Sequence, residues 1–132
     1  MIFRYLEITP TILRPVIPII LKAGNKFVLY SALIDSGADH CIFDIEIAKS
    51  LGTPLQPKKI NLKGLSREKV NGYLGKVELN INGTSYDIFA IFAPIGDFAY
   101  GILGQKGFFD RFDVKLSYNK QIIELESITN KN

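Results

Sequence analysis

One short motif in this 132-residue chain carries the residue types that acid–base chemistry needs. Asp35, Ser36 and Gly37 follow a continuous apolar run that ends at Ile34. A strand places the aspartate at its end, where the glycine permits a turn and lets a ligand backbone approach closely. The serine hydroxyl can hold such a loop by hydrogen bonding. A carboxylate held in this way can act as a general base on water, although Asp-Ser-Gly is also ordinary turn chemistry.

Other candidate sites in the sequence are weaker. His40 and Cys41 are the only residues of their types, and one histidine with one cysteine cannot build a zinc site. Neighbouring residues in a strand point to opposite faces, so these two do not form a nucleophile–base pair. We therefore expect Cys41 to be a small buried residue. Ser36 lacks the Gly-x-Ser-x-Gly elbow of serine hydrolases, and the sequence predicts neither a metal nor a cofactor.

The elements that must position the motif are short apolar runs separated by turn signals, which is typical of an all-β barrel or sandwich. The motif follows a predicted strand over residues 26–34, and the Asn82-Gly83 pair is typical of a tight hairpin turn. Pro15 and Pro18 indicate that the predicted strand over residues 16–22 lies at a sheet edge. Strands are predicted over residues 16–22, 26–34, 40–43, 58–62, 69–81, 86–92, 100–103, 112–118 and 121–126.

Predicted helices are few and short. Residues 44–51 are the best candidate, because their apolar side chains share one face. Asp44 can cap the start of this helix. Gly52 follows its last residue, where a glycine with left-handed backbone conformation commonly ends a helix. Residues 105–111 are predicted to form one or two helical turns, a prediction that Gly107 weakens.

The motif and its surroundings resemble the retropepsin-like aspartic proteases, the family of retroviral and related cellular enzymes. Residues 32–39, ALIDSGAD, are similar to the active-site signature of that family. Residues 101–104, GILG, resemble the segment that packs beneath the catalytic loop, and residues 62–73 lie where the family has a flap hairpin. Residues 14–19 look like the first strand of such domains. The resemblance covers residues 14–126 and implies a small closed β-barrel of the acid-protease type, with one or two short helices and a flap hairpin.

The resemblance also implies a reaction and an oligomeric state. Aspartic proteases use two carboxylates that share one proton across a bound water, so that one acts as base and the other as acid. This chain has one Asp-Ser-Gly, and no other aspartate precedes Ser/Thr-Gly. The second carboxylate must then be Asp35 of another copy, which places the active site on the two-fold axis of a homodimer.

Further roles are implied position by position. Ser36 is expected to hydrogen-bond across the dimer, and Gln105 stands where the family often has an arginine that pairs with Asp39. Substrate binding is implied for Gly37, Ala38, Asp39, Gly64, Leu65 and Ser66. Support of the active-site loop is implied for Ile102, Leu103 and Gly104. The charge pair with Asp39 is in question because Gln105 is uncharged.

Composition and charge exclude several classes of function. The length fits a single domain over residues 1–132, with an N-terminal segment over 1–13 and a polar tail over 127–132. A net charge of +3 is too small to argue for nucleic-acid binding. The apolar runs fall far short of a membrane span, and the first residues do not resemble a signal peptide. We expect a cytoplasmic protein with no membrane partner.

The sequence therefore leads to one main hypothesis and leaves two others open. The main one is a homodimeric aspartic endopeptidase acting on peptide or protein substrates. The second is a non-catalytic peptide-binding or dimerisation module on the same fold, since a fold does not determine a function. The third is a structural β-barrel subunit of a larger assembly. The intact Asp35-Ser36-Gly37 favours the protease, whereas Gln105 favours the binding module.

Overall fold

The fold is given by a computed structural model, which describes residues 1–62, 70–96 and 100–128. These residues contain twelve β-strands and one α-helix. The strands are β1 (Ile2–Arg4), β2 (Leu6–Thr9), β3 (Ile12–Arg14), β4 (Val16–Ala23), β5 (Lys26–Ile34), β6 (Ile42–Asp44), β7 (Ile60–Leu62), β8 (Val70–Ile81), β9 (Thr84–Ala93), β10 (Gly101–Leu103), β11 (Phe112–Ser117) and β12 (Ile122–Ser127). The helix, α1 (Ile45–Leu51), follows β6.

Six of the strands form a closed barrel. Their order is β4-β5-β10-β6-β9-β8, and β8 pairs again with β4 at Ile20, Leu21 and Lys22. Closure limits edge-to-edge association, although the start of β4, near Pro18, keeps a free edge. The strand β7 adds to the outside of this ring through β8. The predicted all-β closed barrel is confirmed.

The barrel interior follows from the alternation of apolar residues along its longest strands. On β8, Val77, Leu79 and Ile81 are buried, and the residues between them point outward. Successive side chains of a strand point to opposite faces, so this pattern directs one face into the core. The core also contains the aromatic side chains of Phe43 and Phe92, whose rings lie 6.0 Å apart.

Local signals in the sequence predicted the hairpin turns and the helix position well. Asn82 and Gly83 have φ values of 48° and 91°, which is the positive-φ turn that this pair favours. Gly52 ends α1 with φ 68° and donates its N–H to helix carbonyls. The predicted side-chain cap was wrong: Asp44 occupies the N-cap position, but its carboxylate makes no cap hydrogen bond and is buried.

Two other expectations were wrong in part. Residues 105–111 form consecutive turns rather than a helix, and Gly107 has φ 105°, which an α-helix does not accommodate. The strand β4 has an edge only near Pro18, because farther along it pairs with β5 on one side and β8 on the other. A proline within a strand is tolerated where one side lacks a partner.

The N-terminal segment has structure that sequence reasoning did not predict. The strand β1 pairs with β12, which pairs with β11, so the two ends of the chain share a three-stranded sheet. The strands β2 and β3 form a separate hairpin, and its residues Leu6, Ile8 and Ile12 are exposed. Pro15, directly after this hairpin, accepts a hydrogen bond from Ile34 N–H at 2.9 Å.

Candidate active site

Asp35 lies at the end of β5, between two other parts of the chain. The strand β10 runs parallel to β5, with Leu103 opposite Ile34. The Asp35 N–H continues this pairing and donates to the Leu103 carbonyl at 3.0 Å. On the other side, the Ile34 N–H is bound to the Pro15 carbonyl. The backbone on both sides of the aspartate is therefore fixed by hydrogen bonds before the chain turns.

The turn itself holds the carboxylate. Ala38 N–H donates to the Asp35 carbonyl at 3.2 Å and closes a four-residue turn. Gly37 N–H donates to the Asp35 Oδ1 at 2.9 Å, so a backbone amide orients the carboxylate. Asp35 remains partly exposed, and Ser36 and Gly37 are exposed. A carboxylate that is held by its own loop and still open to solvent can bind and activate a water molecule.

The segment after β10 lies directly beneath this loop. Leu103 is fully buried, Ile102 is partly buried, and a Cβ on Gly104 would collide with the backbone carbonyl groups of His40 and Ala38. Only a glycine lets the two chain segments approach this closely. Gly104 therefore lies against the backbone of the Asp35 loop, and Ile102 and Leu103 precede it on the strand that pairs with β5.

The residues after Gly104 also contact the loop. Gln105 N–H donates to the Ala38 carbonyl at 2.8 Å, and Lys106 N–H donates to the Asp39 carbonyl at 2.9 Å. The Gln105 side chain reaches back and donates from Nε2 to the Ser36 carbonyl at 2.9 Å. Sequence reasoning missed this last contact, because it considered Gln105 only as the loss of a charged partner for Asp39.

Asp39 lies on the exposed side of the loop. Within residues 1–62, 70–96 and 100–128, no lysine, arginine or histidine side chain forms an ion pair with it. Asp39 therefore has no charged partner within the described part of a single chain, as expected from the uncharged Gln105. The flap residues that the sequence assigned to substrate binding, Gly64, Leu65 and Ser66, lie outside the described residues.

The strands on either side of that segment are described. Ile60 pairs with Gly72 and Leu62 with Val70, so β7 and the start of β8 are antiparallel neighbours. Gly72 and Gly75 lie on β8 and pack tightly against their neighbours: a Cβ on Gly72 would collide with the Ile91 side chain of β9, and one on Gly75 would lie 2.8 Å from Leu55 Cδ2. These glycines let the first half of β8 approach β9 and the segment around Leu55 closely.

Cys41 does not form a thiol site. The residue is fully buried, and burial raises the pKa of its thiol to about 12. The thiol is therefore neutral near pH 7, and a neutral, inaccessible thiol is a poor nucleophile. The expectation of a small buried cysteine is confirmed.

No cluster of three or more His, Cys, Asp or Glu side chains suited to a metal ion occurs in the part of the chain that the structure describes. None of its helices has the length and apolar character that crossing a bilayer requires.

Comparison with known proteins identifies the family. A sequence model of a family described as aspartyl protease matches residues 21–106, which include the Asp35 loop and the segment up to Lys106. The chain belongs to the aspartyl protease family. No protein of curated function matches it significantly.

Solved structures of aspartic proteases have a fold similar to that of this chain. A retropepsin-like aspartic protease from Rickettsia conorii matches with a TM-score of 0.59 and 17% identity, over 95% of this chain and 88% of that one. The EIAV protease, in complex with the inhibitor HBY-793, matches with a TM-score of 0.50 and 18% identity, over 74% of this chain and 86% of that one. The barrel is therefore of the retropepsin-like type, as the sequence predicted.

Proposed function

We propose that the chain is an aspartic endopeptidase that hydrolyses peptide bonds by activating water between two copies of Asp35, one from each subunit of a homodimer. The observation that carries this proposal is the Asp35 carboxylate, held by the Gly37 amide at the end of a barrel strand yet open to solvent. The match to the aspartyl protease family supports the reaction class.

The need for two chains follows from the chemistry. The mechanism requires a second carboxylate close enough to share a proton with the first. Within the chain, Asp39 directly follows the same turn and is exposed, and Asp44 is buried at the start of α1. Neither follows a β-strand into a Ser-Gly turn as Asp35 does. A two-fold axis beside the Asp35 loop supplies an identical carboxylate, which is the isologous arrangement of a C2 dimer.

In this mechanism the two aspartates have different roles in each turnover. One is ionised and takes a proton from the bound water, which attacks the peptide carbonyl. The other is protonated and donates a hydrogen bond to the carbonyl oxygen, which stabilises the charge that develops there. The pair titrates as a unit, so activity is expected at mildly acidic pH, where the dyad carries one proton.

Neighbouring residues would bind the substrate and brace the dyad. We propose that Ser36 hydrogen-bonds to the partner's loop, and that the backbone around Ala38 together with Asp39 contacts the peptide. We propose that the segment joining β7 to β8 acts as a flap through Gly64, Leu65 and Ser66, because closure over a substrate would exclude water. Ile102, Leu103 and Gly104 would support the loop from beneath.

The decisive experiment replaces Asp35 and mixes subunits. We expect Asp35→Asn to fold normally and to lose all cleavage of an unfolded protein substrate, whereas Asp113→Asn, an exposed aspartate on β11, keeps it. Adding excess Asp35→Asn protein to the wild type is expected to inhibit it, because mixed dimers lack one carboxylate. Ultracentrifugation is expected to give the mass of two chains.

Two results would contradict the proposal. Residual cleavage by Asp35→Asn, with contamination excluded, would remove Asp35 from the mechanism. Peptide binding without turnover by the wild type would favour the non-catalytic binding module instead. The single-domain organisation and the cytoplasmic location stay predictions from the sequence.

A further inference from the structure

One peptide unit of the active-site loop is held at both of its polar ends. The carbonyl of Ser36 accepts a hydrogen bond from Gln105 Nε2 at 2.9 Å. The N–H of the same peptide unit belongs to Gly37 and donates to the Asp35 Oδ1, also at 2.9 Å. The Gln105 amide and the Asp35 carboxylate are thus linked through a single peptide group.

The geometry of a peptide group makes this link effective. A trans peptide is planar, and its C=O and N–H point in opposite directions. Fixing the direction of the carbonyl therefore fixes the direction of the N–H. A hydrogen bond to the carbonyl also polarises the group and strengthens the bond that the N–H donates.

We propose that Gln105 is a positioning residue for Asp35: its side-chain amide anchors the Ser36 carbonyl and so aims the Gly37 N–H at the Asp35 carboxylate. The proposal rests on the proposed function, since it assigns Gln105 a role in the same site. Gln105 does not touch the reacting atoms and acts only through the loop.

The backbone of Gln105 is anchored independently of its side chain. Its N–H donates to the Ala38 carbonyl at 2.8 Å, and its carbonyl accepts from Asp110 N–H at 3.1 Å. The next residue, Lys106, is bound to the Asp39 carbonyl. Removing the side-chain amide therefore leaves the surrounding main chain in place, which makes the contact testable by substitution.

A neutral amide suits this contact for a chemical reason. A carbonyl oxygen needs a donor, and a glutamine supplies one without placing a charge beside the Asp35 loop. A glutamate at the same position has nearly the same shape but, when ionised, only accepts hydrogen bonds. Gln105→Glu therefore removes the donor with little change in volume, and Gln105→Ala removes it without adding charge.

The test measures catalysis and the loop separately. We expect Gln105→Ala and Gln105→Glu to lower kcat about tenfold, the effect of about 1.4 kcal/mol on the barrier, and to leave KM within about twofold. Gln105→Arg keeps a donor but adds a positive charge, so we expect a kcat above that of Gln105→Ala and a pH profile whose acid limb is shifted to lower pH. The control is Gln56→Ala, an exposed glutamine whose side chain makes no hydrogen bond to the described residues. Circular dichroism checks that each variant folds.

Hydrogen exchange of the Gly37 amide, followed by NMR, tests the contact without any turnover. We expect faster exchange in Gln105→Ala and wild-type exchange in Gln56→Ala. Unchanged exchange in Gln105→Ala would overturn the proposal, whatever happens to kcat, and so would faster exchange with an unchanged kcat. If the wild type cleaves no substrate, the proposed function is wrong. The exchange measurement still tests the contact in that case, because unchanged exchange of the Gly37 amide in Gln105→Ala would show that the Gln105 side chain does not anchor the loop.

Discussion

Gly104 offers the sharpest test of how the loop is supported. Replacing it with alanine adds one Cβ, which would lie 2.7 Å from the Ala38 carbonyl oxygen and would also collide with the His40 carbonyl group. Ordinary van der Waals contact begins near 3.4 Å, so the backbone must retreat by about 0.7 Å at Ala38 and by more at His40. Such a shift also stretches the 2.8 Å hydrogen bond from Gln105 N–H to the Ala38 carbonyl.

The size of the effect follows from the nature of the obstacle. Overpacking costs about 1–3 kcal/mol, and we expect the upper end because both obstacles are backbone atoms that cannot rotate away. At a urea m-value of about 1.5 kcal/mol/M, a loss of about 3 kcal/mol lowers the unfolding midpoint by about 2 M. We also expect kcat to fall at least about tenfold, since a displacement near 1 Å at a catalytic group can cost about 100-fold.

A second glycine supplies the control. Gly24, in the turn between β4 and β5, has φ 61° and open space where its Cβ would be. Gly24→Ala therefore tests backbone strain without collision, and we expect a loss of about 1 kcal/mol and unchanged kcat. Urea unfolding with a constant m-value measures both variants. A Gly104→Ala protein within about 0.5 kcal/mol of the wild type would refute the close approach.

Two further predictions concern the buried thiol of Cys41 and the partly buried hydroxyl of Tyr86. Because burial raises the pKa of Cys41 to about 12, we expect a thiol-reactive dye to label the native protein very slowly at neutral pH and rapidly in concentrated urea; the native rate should rise only as the pH approaches that value. Rapid native labelling would contradict the buried position. Tyr86→Phe removes the hydroxyl that donates to the Gly107 carbonyl at 2.7 Å, and we expect a loss of about 1 kcal/mol in urea unfolding. An unchanged midpoint would mean that water replaces this bond at no cost.

Much of the barrel could be predicted from the sequence, because its signals are local. The bounds of β5 agree with the predicted strand over residues 26–34, since a segment rich in aromatic and aliphatic residues ends there at an Asp-Ser-Gly turn. The hairpin at Asn82-Gly83 and the stop of α1 at Gly52 depend on φ preferences of single residues. Each of these signals lies within a few residues of the feature that it predicts.

The remaining features depend on contacts between distant residues. The pairing of β1 with β12 joins the two ends of the chain, and neither strand shows its partner in its own pattern. The turns over residues 105–111 are set by packing around Phe108 and Phe112, which are both fully buried. This packing outweighs the weak helix propensity of the segment. The carboxylate of Asp44, a good cap by type, is instead buried in the fold.

The sequence by itself determined which residue could do the chemistry and how many such residues one chain supplies. A single Asp-Ser-Gly after an apolar strand points to Asp35, and the resemblance to proteases that use two carboxylates predicts that the second one comes from another copy of the chain. Only the tertiary structure decided what surrounds that aspartate. The parallel insertion of β10 beside β5 brings Gly104 and Gln105 under the loop, and Gln105 contacts Ser36 across 69 positions of sequence. Residue type is a local property, whereas the neighbours of a residue are set by the closure of the whole barrel.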